Sequence, residues 1–116
     1  GMFRAMQLAA ATALEAEADW YEGNNENYRN RRHFAGEIMK TLGCTYDEKQ
    51  VGMFLWGKIP ASCKDVEELT EKVLHEARVF ITPGFIFGSN GARYIRISLC
   101  CKDNKLAEAL ERIKRI

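Results

Sequence analysis

Arg96 sits in the run Tyr94-Ile95-Arg96-Ile97-Ser98, in which apolar and polar side chains alternate. A period of two predicts a half-buried strand, with Ile95, Ile97 and Leu99 on one face and Tyr94, Arg96 and Ser98 on the other. A guanidinium fixed between a phenol and a hydroxyl can grip a carboxylate through two parallel hydrogen bonds, which a lysine ammonium cannot do. The ordinary alternative is an ion-paired surface arginine. A second run, Val51 to Ile59, is rich in strand formers and places Met53, Leu55 and Ile59 on one face and Phe54, Trp56 and Lys58 on the other. Its aromatic side chains can wall a pocket or fill a core. Before Arg96 runs a loop, Pro83 to Ala92, holding Gly84, Gly88 and Gly91. It lacks the Lys-Ser/Thr of a P-loop and leads into a strand instead of a helix N-terminus, so its glycines read as turn formers rather than a phosphate cradle. Cys44, Cys63, Cys100 and Cys101 form no CxxC, and His33 and His75 lie far apart, which excludes structural zinc. All four read as reduced thiols, with the vicinal Cys100 and Cys101 pointing to opposite faces of an extended chain.

The elements that hold these side chains follow from spacing. Phe3, Met6, Ala10, Ala13 and Leu14 form a helical stripe in an alanine-rich segment. Tyr21 to Asn25 interrupts it, and Asn24 or Asn25 is the expected cap of a second helix with the apolar face Tyr28, Ala35, Ile38, Met39 and Leu42, closed by Gly43. The basic cluster Arg29-Asn30-Arg31-Arg32-His33 on that helix reads as a solvated or ion-paired face. Asp65 and Glu68 have capping-box spacing ahead of the stripe Val66, Leu69, Val73 and Ala77. Arg78 to Thr82 reads as a short strand stopped by Pro83-Gly84, Arg93 to Cys101 as the next strand, and Leu106, Leu110 and Ile113 as the stripe of a closing helix from about Asp103. The expected fold is therefore α/β: a two-layer sandwich of a small three-stranded sheet and two covering helices, preceded by two N-terminal helices. Residues 2–43 form a helical brace and residues 44–116 the sandwich, together one domain.

The chain has 116 residues, 47% hydrophobic and 28% charged, with a formal net charge of +1. That length and balance give one folded unit with a core of its own. No overall field draws it to nucleic acid or anionic lipid, and no apolar run is long enough to span a membrane. Gln7 and Thr12 interrupt the first apolar run and Glu15 and Glu17 follow it, so it reads as an amphipathic helix rather than a signal peptide, and Gly1 ahead of Met2 has the character of a residue left by tag removal. The expected location is the cytoplasm.

Several blocks, in order, resemble one family. Val79-Phe80-Ile81-Thr82-Pro83-Gly84, then Phe87-Gly88, Gly91 and Tyr94-Ile95-Arg96-Ile97-Ser98, are similar to the C-terminal signature of class I/II (fold-type I) pyridoxal-phosphate-dependent aminotransferases. Tyr28-Arg29-Asn30-Arg31-Arg32 resembles the helix after that family's interdomain crossing, Gly52-Met53-Phe54-Leu55-Trp56 its substrate-side strand, and Leu106 to Ile113 its closing helix. Met53 to Pro60 is most like the branch containing LL-diaminopimelate aminotransferases. The resemblance implies the small C-terminal domain of such an enzyme, with Arg96 holding the α-carboxylate of an amino acid or 2-oxo acid and Gly52, Phe54 and Trp56 lining the substrate pocket. It places the lysine that binds pyridoxal phosphate, and most other cofactor ligands, in a large domain that no segment here matches. The expectation is thus a fragment, from a truncated reading frame or by design, whose parent uses pyridoxal phosphate while this chain binds no cofactor and catalyses no transamination. Its expected partners are the missing large domain and a second copy of itself. A stand-alone amino-acid-binding regulatory module would have the same layout and also use Arg96. An RNA-binding sheet stacking bases on Tyr94, Phe54 and Trp56 is disfavoured by the near-neutral charge and the lack of an RNP-like aromatic run.

Overall fold

Apolar spacing changes along the chain from three-and-four to two and back, and the secondary structure changes with it. The computed structural model describes residues 1–116. It contains α1 (Arg4–Leu14), α2 (Ala18–Thr41), β1 (Phe54–Lys58), α3 (Val66–Ala77), β2 (Thr82–Pro83), two 3-10 turns (Gly84–Phe87 and Ser89–Gly91), β3 (Tyr94–Ser98) and α4 (Asp103–Lys114). The three strands form one antiparallel sheet in the order β1-β3-β2. Leu55, Ile95 and Ile97 face inward from it and meet Val66, Leu69, Val73 and Ala77 of α3 and Leu106, Leu110 and Ile113 of α4. The C-terminal half of α2 joins these two helices: Ala35, Ile38 and Met39 are buried in the same core.

Local chemistry sets most boundaries. Asp65 caps α3 by accepting from the Glu68 amide at 2.8 Å, as its position predicts, while the Glu68 carboxylate reaches one residue further back, to the Lys64 amide at 3.0 Å. At the end of α2, Gly43 takes φ +75°, its amide donates to the Lys40 carbonyl and the Cys44 amide to Met39, the double bond pattern of a Schellman motif.

Four expectations shift. The break between the first two helices falls at Glu15 to Glu17, not at Tyr21 to Asn25, and Asn24 and Asn25 lie inside α2 instead of capping it. Tyr21 fixes this corner by donating its hydroxyl proton at 2.6 Å to the Ala13 carbonyl, which also accepts from the Ala16 amide at 3.2 Å. Arg78 to Thr82 is not a strand, since Arg78 ends α3 in the left-handed conformation at φ 58° and pairing begins only at Thr82. The flanking strands are shorter than read, so Met53 lies outside β1 and is exposed, and Cys100 and Cys101 lie beyond β3, both exposed. All four cysteines are free.

The outer edge of β1 is closed by a side chain. The Gln50 amide donates to the Trp56 carbonyl at 2.8 Å and accepts from the Trp56 amide at 3.0 Å, completing the backbone pairing a neighbouring strand would supply. Thr45 pairs with Lys58 beside it. Arg93 ties the loop before α3 to the sheet by donating to the carbonyls of Pro60, Cys63 and Lys64 at 2.9–3.0 Å.

Candidate functional site

The antiparallel register sets Trp56 of β1 opposite Arg96 of β3, with Thr82 of β2 on its other side. Phe54 and Ser98 form the next pair in one direction, Lys58 and Tyr94 in the other. Because side chains alternate, Phe54, Trp56, Tyr94 and Arg96 all rise from the face turned away from the helices. No helix covers that face, so its polar and aromatic groups are half-buried rather than sealed.

The Arg96 guanidinium lies between two phenyl rings, 4.0 Å from the Phe54 ring centre and 4.2 Å from that of Phe87. It forms no hydrogen bond or ion pair within the chain, and none of its nitrogens is buried. Both distances are well inside cation–π range, worth about 0.5–2 kcal/mol each depending on exposure. Both rings pack against the cation, and none of its N–H donors is used within the chain, which leaves them for a carboxylate.

Phe87 reaches this position through a glycine contact. Gly84 and Gly91 touch backbone to backbone: a Cβ on Gly91 would lie 2.1 Å from the Gly84 carbonyl oxygen, and one on Gly84 2.4 Å from that of Gly91. The contact folds the intervening turns over the sheet and lays Phe87 on Arg96, with its ring also edge-on to Trp56 at 5.6 Å and 73°. The loop is thus built for tight turning, as its sequence predicts. Trp56, Phe87, Asn90, Gly91 and Tyr94 bound an open cleft of about 350 Å³, which shares Phe87 with the surroundings of the guanidinium.

Of the four residues expected at the site, Arg96, Phe54 and Trp56 are brought together. Gly52 lies before β1 at φ +94° and lines a different cleft of about 450 Å³, between α2 and the approach to β1, with Asn24, Asn25, Tyr28, Arg29, Arg32, Val51 and Met53. There its carbonyl accepts from Arg32 Nη2 at 2.7 Å. Arg31 is structural, donating to Asp103 at 3.0 Å and to the Leu99 carbonyl at 3.1 Å, so the basic cluster serves mainly to tie α2 to the sandwich. Sequence reading placed Tyr94 on the Arg96 face but did not bring Phe87 or Asn90 there; Phe87-Gly88 was visible as a motif, but its place over Arg96 depends on the glycine contact. No group of three or more His, Cys, Asp or Glu is placed to hold a metal, and no helix is long and apolar enough to cross a membrane.

Known proteins are similar to this chain in sequence and fold. The family described as aminotransferase class I and II matches residues 2–113. Transaminase BacF of Bacillus subtilis is 33% identical over all of this chain, and an LL-diaminopimelate aminotransferase of Desulforudis audaxviator is 35% identical over 98% of it. The chain spans 29% of the length of each. The solved apo structure of BacF superposes with a TM-score of 0.76 and 34% identity, covering 99% of this chain and 30% of that one. The chain belongs to the class I and II aminotransferases and carries the small C-terminal domain of their fold.

Proposed function

We propose that the chain supplies the substrate-carboxylate clamp of an aminotransferase, with Arg96 binding the α-carboxylate of an amino acid or 2-oxo acid. The single observation behind this reading is the unpaired guanidinium held between Phe54 and Phe87 on an open sheet face. Packing the cation against two rings restricts its side chain, so less rotamer freedom is left to lose when a planar anion docks. Bidentate binding also orients the acid, which is what a domain closing over a reaction centre must do to its substrate. Gly52 belongs to the same reading as a neighbour of Phe54 at the entry to β1, while Phe54 and Trp56 act as walls.

The open face does not by itself fit pyridoxal phosphate. Its one lysine, Lys58, is exposed at the end of β1, and its strands present no carboxylate to partner a pyridine nitrogen. We therefore assign none of the cofactor's ligands to these residues and place the cofactor of the parent enzyme in a large domain. The helical segment 2–43 is read as the brace to that domain, the assembly as a homodimer, and the location as the cytoplasm. Added pyridoxal phosphate is expected to form no stoichiometric coloured complex with the chain and to produce no transamination. A yellow complex that turns over would overturn that expectation.

The clamp is tested by titrating the chain with propionate and watching the Arg96 side-chain N–H resonance, with chloride at equal ionic strength as the control. A saturable shift with propionate alone, abolished by Arg96→Lys, is the expected result. No Arg96-dependent response to any carboxylate would refute the assignment. A stand-alone regulatory module is the second reading, favoured only by the self-contained core; it requires a free amino acid to bind the chain far more tightly than propionate does.

A further inference from the structure

Arg96 explains how an acid would be held, but not which acid. The cleft near it bears on that question, because Phe87 is common to both: its ring covers the guanidinium and forms a T-shaped pair with Trp56. Trp56 is the direct cross-strand neighbour of Arg96, and Tyr94 precedes it by two residues on the same face, a distance of about 7 Å along a strand. The cleft thus opens within one side-chain length of the clamp.

Its lining is three aromatic side chains, one glycine and the amide of Asn90, with no charged residue. At about 350 Å³ it lies at the small end of ligand pockets, room for a single ring. Lys58, opposite Tyr94 on the same face, is exposed at the strand end and outside this lining, so a charged group lying in the cleft faces rings and an amide, whereas a flat apolar group gains contact on three sides. The polar cleft at Gly52 offers Arg29, Arg32, Asn24 and Asn25, and would suit a charged side chain, but it is lined by neither Arg96 nor the two rings packed on it.

We propose that the cleft of Trp56, Phe87, Asn90 and Tyr94 is a specificity pocket, and that the acid held by Arg96 carries an aromatic side chain whose ring enters it. The proposal rests on the carboxylate-clamp reading of Arg96 and adds the substrate class to it. Asn90 stands at the rim, positioned to hydrogen-bond a neutral polar group on the ring but not to neutralise a charge.

The test compares 3-phenylpropionate, butyrate and glutarate binding to the full chain, followed at the Trp56 indole N–H and the Arg96 side-chain N–H. Phenylpropionate is expected to bind about three- to tenfold more tightly than butyrate and to shift both resonances. In Trp56→Ala the ratio of the two affinities should fall to about one; Asn90→Asp, which leaves the sheet intact, should weaken every acid through charge repulsion but phenylpropionate most, lowering the same ratio. Equal affinities in the unaltered chain, tighter binding of glutarate, or a preference that survives both substitutions would overturn the pocket while an Arg96-dependent response to all three acids left the clamp standing. Failure of every acid to perturb Arg96 would remove both.

Discussion

A guanidinium is normally satisfied by carboxylates or carbonyls, as Arg31 and Arg93 are in this chain. Arg96 instead meets two rings and water, which makes its neighbours as informative as the residue itself. If Phe87 is held by the Gly84–Gly91 contact, Gly91→Ala must push the loop outward, because its new methyl would sit 2.1 Å from a backbone oxygen that cannot swing aside. The expected result is a loss of about 1–3 kcal/mol in denaturant unfolding together with weaker propionate binding at Arg96. Unchanged binding would mean that Phe87 does not order the clamp. Cys44 allows a second prediction at this scale. Burial, with a smaller contribution from nearby Cys63, raises its thiol from the ordinary 9.0 to about 11. The native state then holds that proton more tightly than the unfolded chain, so the linked stability is whole below pH 9.0 and is lost as pH climbs through about 11. Melting temperature should fall across that window, less so in Cys44→Ala, and thiol reagents at neutral pH should modify Cys100 and Cys101 well before Cys44. The side of the sheet on which Arg96 emerges was legible in the sequence, since strand parity fixes it. Phe87 was not, because its position is set by a non-bonded approach of two glycines seven residues apart.

Elements were legible where their ends carry their own chemistry. Asp65 with Glu68, and Gly43 after Leu42, announce helix boundaries because side-chain caps and a left-handed residue satisfy groups that a helix must leave open. Asp65→Ala removes the bond to the Glu68 amide and should cost about 1 kcal/mol, a fall of several degrees in melting temperature, with Asp65→Asn retaining most of the stability. An alanine variant as stable as the parent would show that the buried stripe of α3 alone fixes its start. The corner between α1 and α2 was illegible for the opposite reason. No cap marks it, since Glu17 makes no side-chain capping bond at the start of α2, and the tie that sets it, from Tyr21 to Ala13, spans eight residues. Two asparagines that favour capping are carried within α2, where the continuous helix outweighs their local preference. The strand expected from Arg78 failed because αL geometry at that residue turns the chain before it can extend.

The molecule as a whole is longer than its core requires. Its radius of gyration is 17.0 Å and its extents 50 × 31 × 25 Å, whereas a compact chain of this length has a radius of about 13 Å. The excess is α1 and the first half of α2, which together bury no residue. Apolar side chains line this arm, with Phe3 69%, Met6 59%, Leu14 81% and Trp20 61% exposed. Water contact of that kind is unfavourable by roughly 25 cal/mol per Å² of apolar surface, so any surface that covers the stripe is rewarded. In a longer aminotransferase a large domain would do so; in this chain by itself the available cover is the same stripe on another copy. Sedimentation velocity should therefore find association that grows with concentration, and Met6→Glu with Leu14→Glu should return the chain to a monomer. Those positions bury nothing within the chain, so the double variant should keep its melting temperature and its propionate response at Arg96, separating the arm's role in assembly from the sheet's role in binding. A monomer at all concentrations would mean that α1 is satisfied by folding back on its own neighbours in solution, and would leave the clamp untouched, because the two surfaces share no residue.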